Sequence, residues 1–321
     1  MLGKLNPNQL QRYVLSQITK KRKETLISAV DGGDCAILRS ERYLYVTSDP
    51  ITASGSNCGR LAVNICANDL AASGAEPLAI LLTLLLPQTE TLESVETIMR
   101  ECESEAQKLH LDIVGGHTEF TDSVNRIVIS ATALGLSDRF FVNRPEQGDH
   151  IYVSKHLALE GTAILAQDYA DELKLTESEF AEAKNCIQSI SVVKESAICQ
   201  KCEVSAMHDI TEGGVTGALK ELCSASHTGA ELYEERLPYL EVTNKICTQL
   251  GLDKHNLLSS GSMLIVSHDA NIVQAMKNEG ILLTEIGEIT AGDCVNFHTA
   301  DGIQTVEVRA EEITKMTGRK K

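Results

Sequence analysis

Apolar and polar positions alternate between helical and strand spacing along most of the chain. Behind Asn6-Pro7, which supply an N-cap and a proline for the first turn, Leu10, Val14 and Ile18 form a helical stripe and predict a first helix. Short β-prone runs at 35–38 and 43–47, separated by the polar Ser40-Glu41-Arg42, predict a hairpin. A helical repeat through Leu61, Ile65 and Ala72 covers 57–73 and stops at Gly74, as a helix C-terminus should. The apolar run 78–86, broken only by Thr83, reads as a buried strand. Leu92, Val95, Met99, Cys102, Ala106 and Leu109 predict a long helix over 91–109. Ile113-Val114 then predicts a strand entering a tight turn at Gly115-Gly116, and 126–136 a closing strand.

A polar, turn-rich stretch at 137–148, containing Asn143-Arg144-Pro145, is the expected boundary between domains 1–143 and 144–321. The second half reads as α/β. A strand at 151–154 leads to a helix after Glu160-Gly161 and to helices near 177–187 and 192–199. A loop at 207–214, a helix at 215–224 and strands at 262–266, 283–289, 294–298 and 304–308 follow.

Length supports this division, because 321 residues exceed what one hydrophobic core usually organises. The composition, 43% apolar and 23% charged without low-complexity segments, predicts a chain folded throughout. Forty-five acidic against 29 basic residues give a formal charge of −16, which repels a phosphate backbone and argues against nucleic acid as partner. The local exception, Lys20-Lys21-Arg22-Lys23, reads as a solvated helix end. No basic segment with an apolar core opens the chain, and the run 78–86 is far below the ~20 residues that span a bilayer. The expectation is a cytoplasmic protein with no membrane partner. Its ten irregularly spaced cysteines then read as reduced thiols. Cys199 and Cys202 form a CxxC with His208 six residues on, and packed thiols are a better reading of them than a zinc site.

Candidate chemistry gathers where elements end. Asp31 and Asp34 lie in a Gly-Gly turn, Asp49 after a strand, Asn68-Asp69 on an otherwise apolar helix, and Glu119 after Gly115-Gly116. Carboxylates placed this way suit Mg²⁺, which takes one or two of them and completes its shell with water and substrate phosphate. The plainer reading is that each caps a turn. The turn Gly115-Gly116-His117-Thr118-Glu119 offers amides and the Thr118 hydroxyl to phosphate oxygens, and His117 is either an acid–base group or a hydrogen-bonded loop histidine. In the second half, Asp209, Thr211, Glu212, Gly213 and Gly214 sit at a helix entry. That entry is either an anion-binding surface or a Thr211 cap favoured by the helix dipole. Ser259-Ser260-Gly261-Ser262 has the same two readings, oxyanion site or turn. No Walker A, Rossmann, GxSxG or HExxH pattern accounts for these acids.

Four stretches, 31–38, 64–77 (NICANDLAASGAEP), 115–119 and 207–222 (MHDITEGGVTGALKEL), together resemble the AIR synthase (PurM-like) superfamily. MHDITEGGVTGAL followed by SSGSMLIV resembles its HypE branch. The resemblance implies an α+β fold: an N-terminal α/β domain forming a dimeric β-barrel with its mate, and a C-terminal α/β sandwich domain. It also implies a homodimer that uses ATP and Mg²⁺. Carried over by motif, Asp34, Asp49, Asp69 and Glu119 would bind the metal. Lys4, Asn68, Gly115, Gly116, Thr118, Thr211, Gly213 and Gly214 would serve the nucleotide, and His117, Asp209 and Glu212 would be catalytic. Two departures stand out. HypE proteins end in an acceptor cysteine, whereas the last cysteine of this sequence is Cys294, and His117 stands where relatives usually place an aspartate. The implied activity is phosphoryl transfer from ATP to an amide or carbonyl oxygen of a small-molecule or protein-thiol acceptor, in hydrogenase or metallocofactor maturation. The alternatives are a small-molecule kinase resembling thiamine-monophosphate kinase and a nucleotide-binding scaffold with little turnover.

Overall fold

The computed structural model describes residues 3–4, 7–27, 37–52, 57–307 and 311–317, which fall into two compact units, Met1–Phe140 and Phe141–Lys321. The first unit runs β1 (Gly3–Lys4), α1 (Pro7–Tyr13), β2 (Thr25–Ile27), β3 (Ile37–Leu38), β4 (Tyr43–Ile51), α2 (Cys58–Ala72), β5 (Glu76–Pro87), α3 (Leu92–Lys108), β6 (Asp112–Thr121) and β7 (Val128–Ser137). Five strands form a mixed sheet in the order β1-β6-β5-β7-β4, and β2 pairs separately with β3. Apolar side chains of α2 and α3 bury one face of that sheet, with Ile80, Leu82, Leu84, Leu86, Phe120, Ala131 and Ala133 on the strand side. Thr91 starts α3 by accepting the Ser94 N–H, and Lys108 in the last turn suits the helix dipole. The two helices pack closely because residue 59 is glycine; a Cβ there would lie 2.4 Å from the Ile98 carbonyl oxygen.

Several local expectations give way to longer-range pairing. The expected hairpin does not form: β3 pairs with β2, and β4 makes a nine-residue antiparallel ladder with β7, from Tyr43–Ser137 to Ile51–Ile129. That ladder pairs all nine residues of β4 and turns Tyr45, Thr47, Asp49 and Ile51, each half-buried, to one side, which a short hairpin around Ser40-Glu41-Arg42 would not do. The first helix ends at Tyr13, with a separate 3₁₀ turn at Leu15–Gln17. Lys20-Lys21-Arg22-Lys23 is not a helix end. The buried Asp112 carboxylate accepts the Lys21 and Arg22 backbone N–H groups, while Lys21 pairs with Glu103 and Arg22 with Glu76.

The second unit contains β8 (His150–Ser154), α4 (Leu159–Asp168), α5 (Glu177–Asn185), α6 (Val193–Cys199), β9 (Ala206–Ile210), α7 (Gly214–Ser226), β10 (Gly229–Tyr233), α8 (Glu241–Leu250), β11 (Ser262–Ser267), α9 (Asn271–Asn278), β12 (Leu283–Thr290), β13 (Val295–Thr299), β14 (Gly302–Thr305) and α10 (Thr314–Thr317). Its seven strands are ordered β14-β13-β10-β12-β8-β11-β9, antiparallel except where β10 meets β13. One core lies between this sheet and α7. A second joins α4 and α8 to Leu257, Ile313 and Met316, so the segment 311–317 is packed into the unit. Residues 207–209, expected as loop, are the middle of β9, because Met207 and Asp209 pair opposite Ile265 and Met263 of β11.

Candidate functional site

Asp49 and Asp69 come together on the helix-covered side of the first sheet. On β4, Tyr45, Thr47, Asp49 and Ile51 share the side turned to α2, since alternate residues of a strand share a face. The Thr47 hydroxyl donates to Asp69 Oδ2 at 2.5 Å. The Cys66 thiol lies 3.7 Å from Asp49 Oδ2. Burial first, and then the charge of Asp49, push the Cys66 thiol up to about 12, so it stays protonated and faces the carboxylate as a weak donor. Asn68 is fully buried on α2, one residue from this pair.

His117 and Glu119 are elsewhere. Asp49 lies opposite Ala131, Ala131 opposite Leu82, and Leu82 opposite Gly116, so these four form one row across the sheet. Ala131 and Leu82 belong to the core, which puts Asp49 on the core side. His117 and Glu119, one and three residues beyond Gly116, therefore turn to the opposite face, with His117 Nε2 3.1 Å from Glu119 Oε2. Asp49 and Glu119 are also separated by three strand spacings, roughly 14 Å. Glu119 thus cannot share one cation with Asp49 and Asp69 within a single chain. Among the described residues, no group of three or more His, Cys, Asp or Glu side chains is arranged to hold a metal ion. Asp31 and Asp34 lie outside the described residues.

Gly115-Gly116 is not a turn with free amides. Both glycines lie inside β6, in register with Leu81 and Leu82 of β5 just after a bulge. Gly116 is required there by close approach: at φ +147° a Cβ would sit 1.9 Å from the Leu82 carbonyl oxygen. Thr118 faces the core side opposite Leu84 and is nearly buried. Gly3 and Lys4 pair through their backbone with Phe120 and Glu119.

In the second unit the β9–α7 junction gathers a different set. Asp209 is buried near the end of β9, and the left-handed Gly213 and Gly214 (φ +78° and +60°) bend the chain into α7. A Cβ on Gly214 would lie 2.4 Å from the His255 carbonyl oxygen. The helix N-cap is Gly213, with no side-chain cap, so Thr211 does not cap α7; its carbonyl instead accepts the Gly214 and Ser259 N–H groups. The Gly213 N–H, expected to be open to an anion, donates to Glu311 Oε2 at 2.8 Å. Glu311 Oε1 accepts the Leu258 N–H at 2.9 Å. The neighbouring loops are tied together by Gly161 N–H to the Leu258 carbonyl and by Ala158 N–H to Ser259 Oγ at 2.6 Å. Glu160, in the first turn of α4, is buried here. Burial, helped by the charges of Glu311 and Glu212, outweighs the hydrogen bond from Ser260 and pushes its carboxyl up to about 7.

Glu160 and Glu311 were missed by sequence reasoning. The signal for Glu160 was an acid flanked by Leu157, Leu159, Ala163 and Leu165, the pattern already noticed at Asp69. Beyond the Ile313 N–H two residues on, nothing local marks Glu311, because its other two backbone partners, Gly213 and Leu258, lie more than 50 positions away.

Comparison with known proteins agrees with this architecture. The family described as AIR synthase related protein matches through its N-terminal domain at residues 32–137 and its C-terminal domain at 146–298. The chain belongs to this family. It is 31% identical over 236 residues, 73% of its length and 66% of the relative's, to a putative hydrogenase expression/formation protein of Methanocaldococcus jannaschii. It is 26% identical over 245 residues to the carbamoyl dehydratase HypE of Escherichia coli, covering 75% of this chain and 70% of that one. The crystal structure of the hydrogenase maturation protein HypE in complex with ATP superposes with a TM-score of 0.77 at 18% identity, covering 95% of each chain, a likeness of fold.

Proposed function

We propose that this chain is an ATP-dependent enzyme of the HypE type that activates an amide or carbonyl oxygen of its acceptor by phosphoryl transfer, in hydrogenase or metallocofactor maturation. The observation that carries the nucleotide half of this reading is the Asp49–Asp69 pair, held on one side of the sheet by Cys66 and Thr47. Mg²⁺ takes one or two carboxylates and completes its shell with water and phosphate oxygens. Bound there, Mg²⁺ would neutralise charge on the transferring phosphoryl group. Thr47 fixes the Asp69 carboxylate in advance, which lowers the cost of ordering it around substrate. The names of the relatives support the acceptor half, since a carbamoyl dehydratase acts on a carbamoyl group.

A homodimer fits the face of the first sheet turned away from α2 and α3. Leu44 and Val46 of β4 are 54% and 62% exposed, and Leu81 on β5 is 37% exposed. Exposed apolar side chains on a sheet face are what a second copy would cover. His117 and Glu119 lie on that same face, so a role for them would be exercised at the dimer surface.

Calorimetric titration of ATP with Mg²⁺, with phosphate release measured in parallel, tests the reading. The wild type should bind, and Asp69→Asn should bind at least 10-fold more weakly. A wild type that binds no ATP would end the enzyme reading, and labelled γ-phosphate kept on a stable small product would favour the kinase alternative.

A further inference from the structure

Cys199 and Cys202, which the proposed reaction does not use, lie on a single tight turn. Beyond α6 the chain keeps winding: the Gln200 N–H donates to the Ser196 carbonyl, the Lys201 N–H to that of Ile198, and the Cys202 N–H to that of Cys199 at 3.0 Å. A bond from residue i+3 back to residue i brings their Cα atoms within about 7 Å. Side chains three apart on such a turn also lie on one side of it. A disulfide spans about 4.4–6.8 Å between Cα atoms, so the backbone brings the pair to about the spacing that bond takes. Cys199 is 2% exposed, while Cys202 is half-buried and meets solvent. His208 does not join them, because its Nδ1 lies 2.6 Å from the Asp209 carbonyl oxygen and its Nε2 3.4 Å from Glu221. We propose that Cys199 and Cys202 form a dithiol site that small-molecule disulfides oxidise, with Cys202 reacting first and Cys199 closing the intramolecular bond.

The chemistry is an exchange in two steps. The Cys202 thiol loses its proton to water and attacks one sulfur of the reagent, whose S–S bond breaks and releases one half as a thiolate. The Cys199 thiol then loses its proton and attacks Cys202 Sγ, expelling the second half. Two electrons pass from the cysteines to the reagent, which ends as two thiols while the protein holds one disulfide. Cys202 leads because its sulfur is the accessible one, and Cys199 follows because no reagent reaches it from solvent. The surroundings favour the oxidised form. Burial, then Cys202 and Glu195, push the Cys199 thiol up. Burial and then Asp269 push up that of Cys202, with Lys201 opposing them. Neither thiolate is stabilised by the fold, so the reduced pair gains little by ionising and the disulfide, once formed, is held firmly. The site lies wholly within the second unit and does not depend on the nucleotide reading.

The test exposes reduced, full-length protein to oxidised glutathione under native conditions, followed by acid quenching, alkylation and tryptic mass mapping. Trypsin cuts after Lys194, Lys201 and Lys220, so the disulfide joins peptides 195–201 and 202–220, each holding one cysteine. The wild type should yield that linked pair, two hydrogens lighter than the sum of its parts, and dithiothreitol should release it. Cys199→Ser should instead accumulate glutathione on Cys202, and Cys202→Ser should leave Cys199 unmodified until alkylation. Cys294 is the internal control: it is exposed, its nearest cysteine in the sequence is Cys247, and it should stop at the glutathione adduct. If serine at the buried position 199 prevents folding, Cys199→Ala takes its place. Wild-type peptides 195–201 and 202–220 recovered unlinked, with both cysteines alkylated, would overturn the site. Glutathione left standing on Cys202 of the wild type would overturn the role of Cys199.

Discussion

Replacing Glu160 by glutamine should stabilise the second unit near neutral pH. In the folded chain the carboxyl is pushed from 4.5 up to about 7, by burial first and by Glu311 and Glu212 after it. In the unfolded chain it ionises at its ordinary value. Folding therefore takes up a proton between about pH 4.5 and 7, so this group's contribution to stability falls as pH rises through that window and is flat above it. At about 1.4 kcal/mol for each pH unit, the interval amounts to roughly 3 kcal/mol, an upper figure for a carboxyl this well buried. Glutamine has nearly the same shape and cannot ionise. The variant should match the wild type near pH 4.5 and exceed it by about 3 kcal/mol at pH 7.5, roughly 6–12 °C in melting temperature for a unit of this size. Circular dichroism melts of both proteins from pH 5 to 8 measure this. Other carboxylates, such as Glu179, lowered to about 2 first by its hydrogen bond to Lys245, act equally in both proteins and cancel in the difference. If the two curves run parallel across the window, Glu160 ionises normally and the account of its surroundings is wrong.

Two further pairs of substitutions probe the framework. Gly116→Ala should cost at least about 2–3 kcal/mol in thermal melts, since its Cβ would strike the Leu82 carbonyl at 1.9 Å. Gly115→Ala, 3.6 Å from Leu81 Cδ2, should cost well under half of that, and equal losses at both would contradict the strand placement. Lys155→Met should cost about 3–5 kcal/mol by stranding buried Glu195, whose Oε1 lies 2.7 Å from the Lys155 ammonium. Adding Glu195→Leu should recover most of that loss, and a double variant no more stable than the single would show that the charges are not coupled.

The sequence by itself determined the elements whose pattern is long and one-sided. The stripe from Leu92 to Leu109 became α3, the run 78–86 lies within β5, and the helix ending before Gly74 became α2. Each buries its apolar face whatever it packs against, so its type follows from spacing alone. The family was legible because its motifs carry close-packing glycines and buried acids in fixed order. Tertiary structure decided what spacing cannot encode. Gly115-Gly116 looks like a turn, and only the approach of β5 shows that a strand needs glycine there. Asp49 and Glu119 look like members of one set, yet the row through Ala131, Leu82 and Gly116 puts them on opposite faces of the sheet. Asp69 gains its partner from Thr47, 22 positions away, and Gly213 gains its anion from Glu311, 98 positions away. A carboxylate's neighbours set its charge and its use, and those neighbours come from strand order and loop docking, quantities that depend on the whole chain at once.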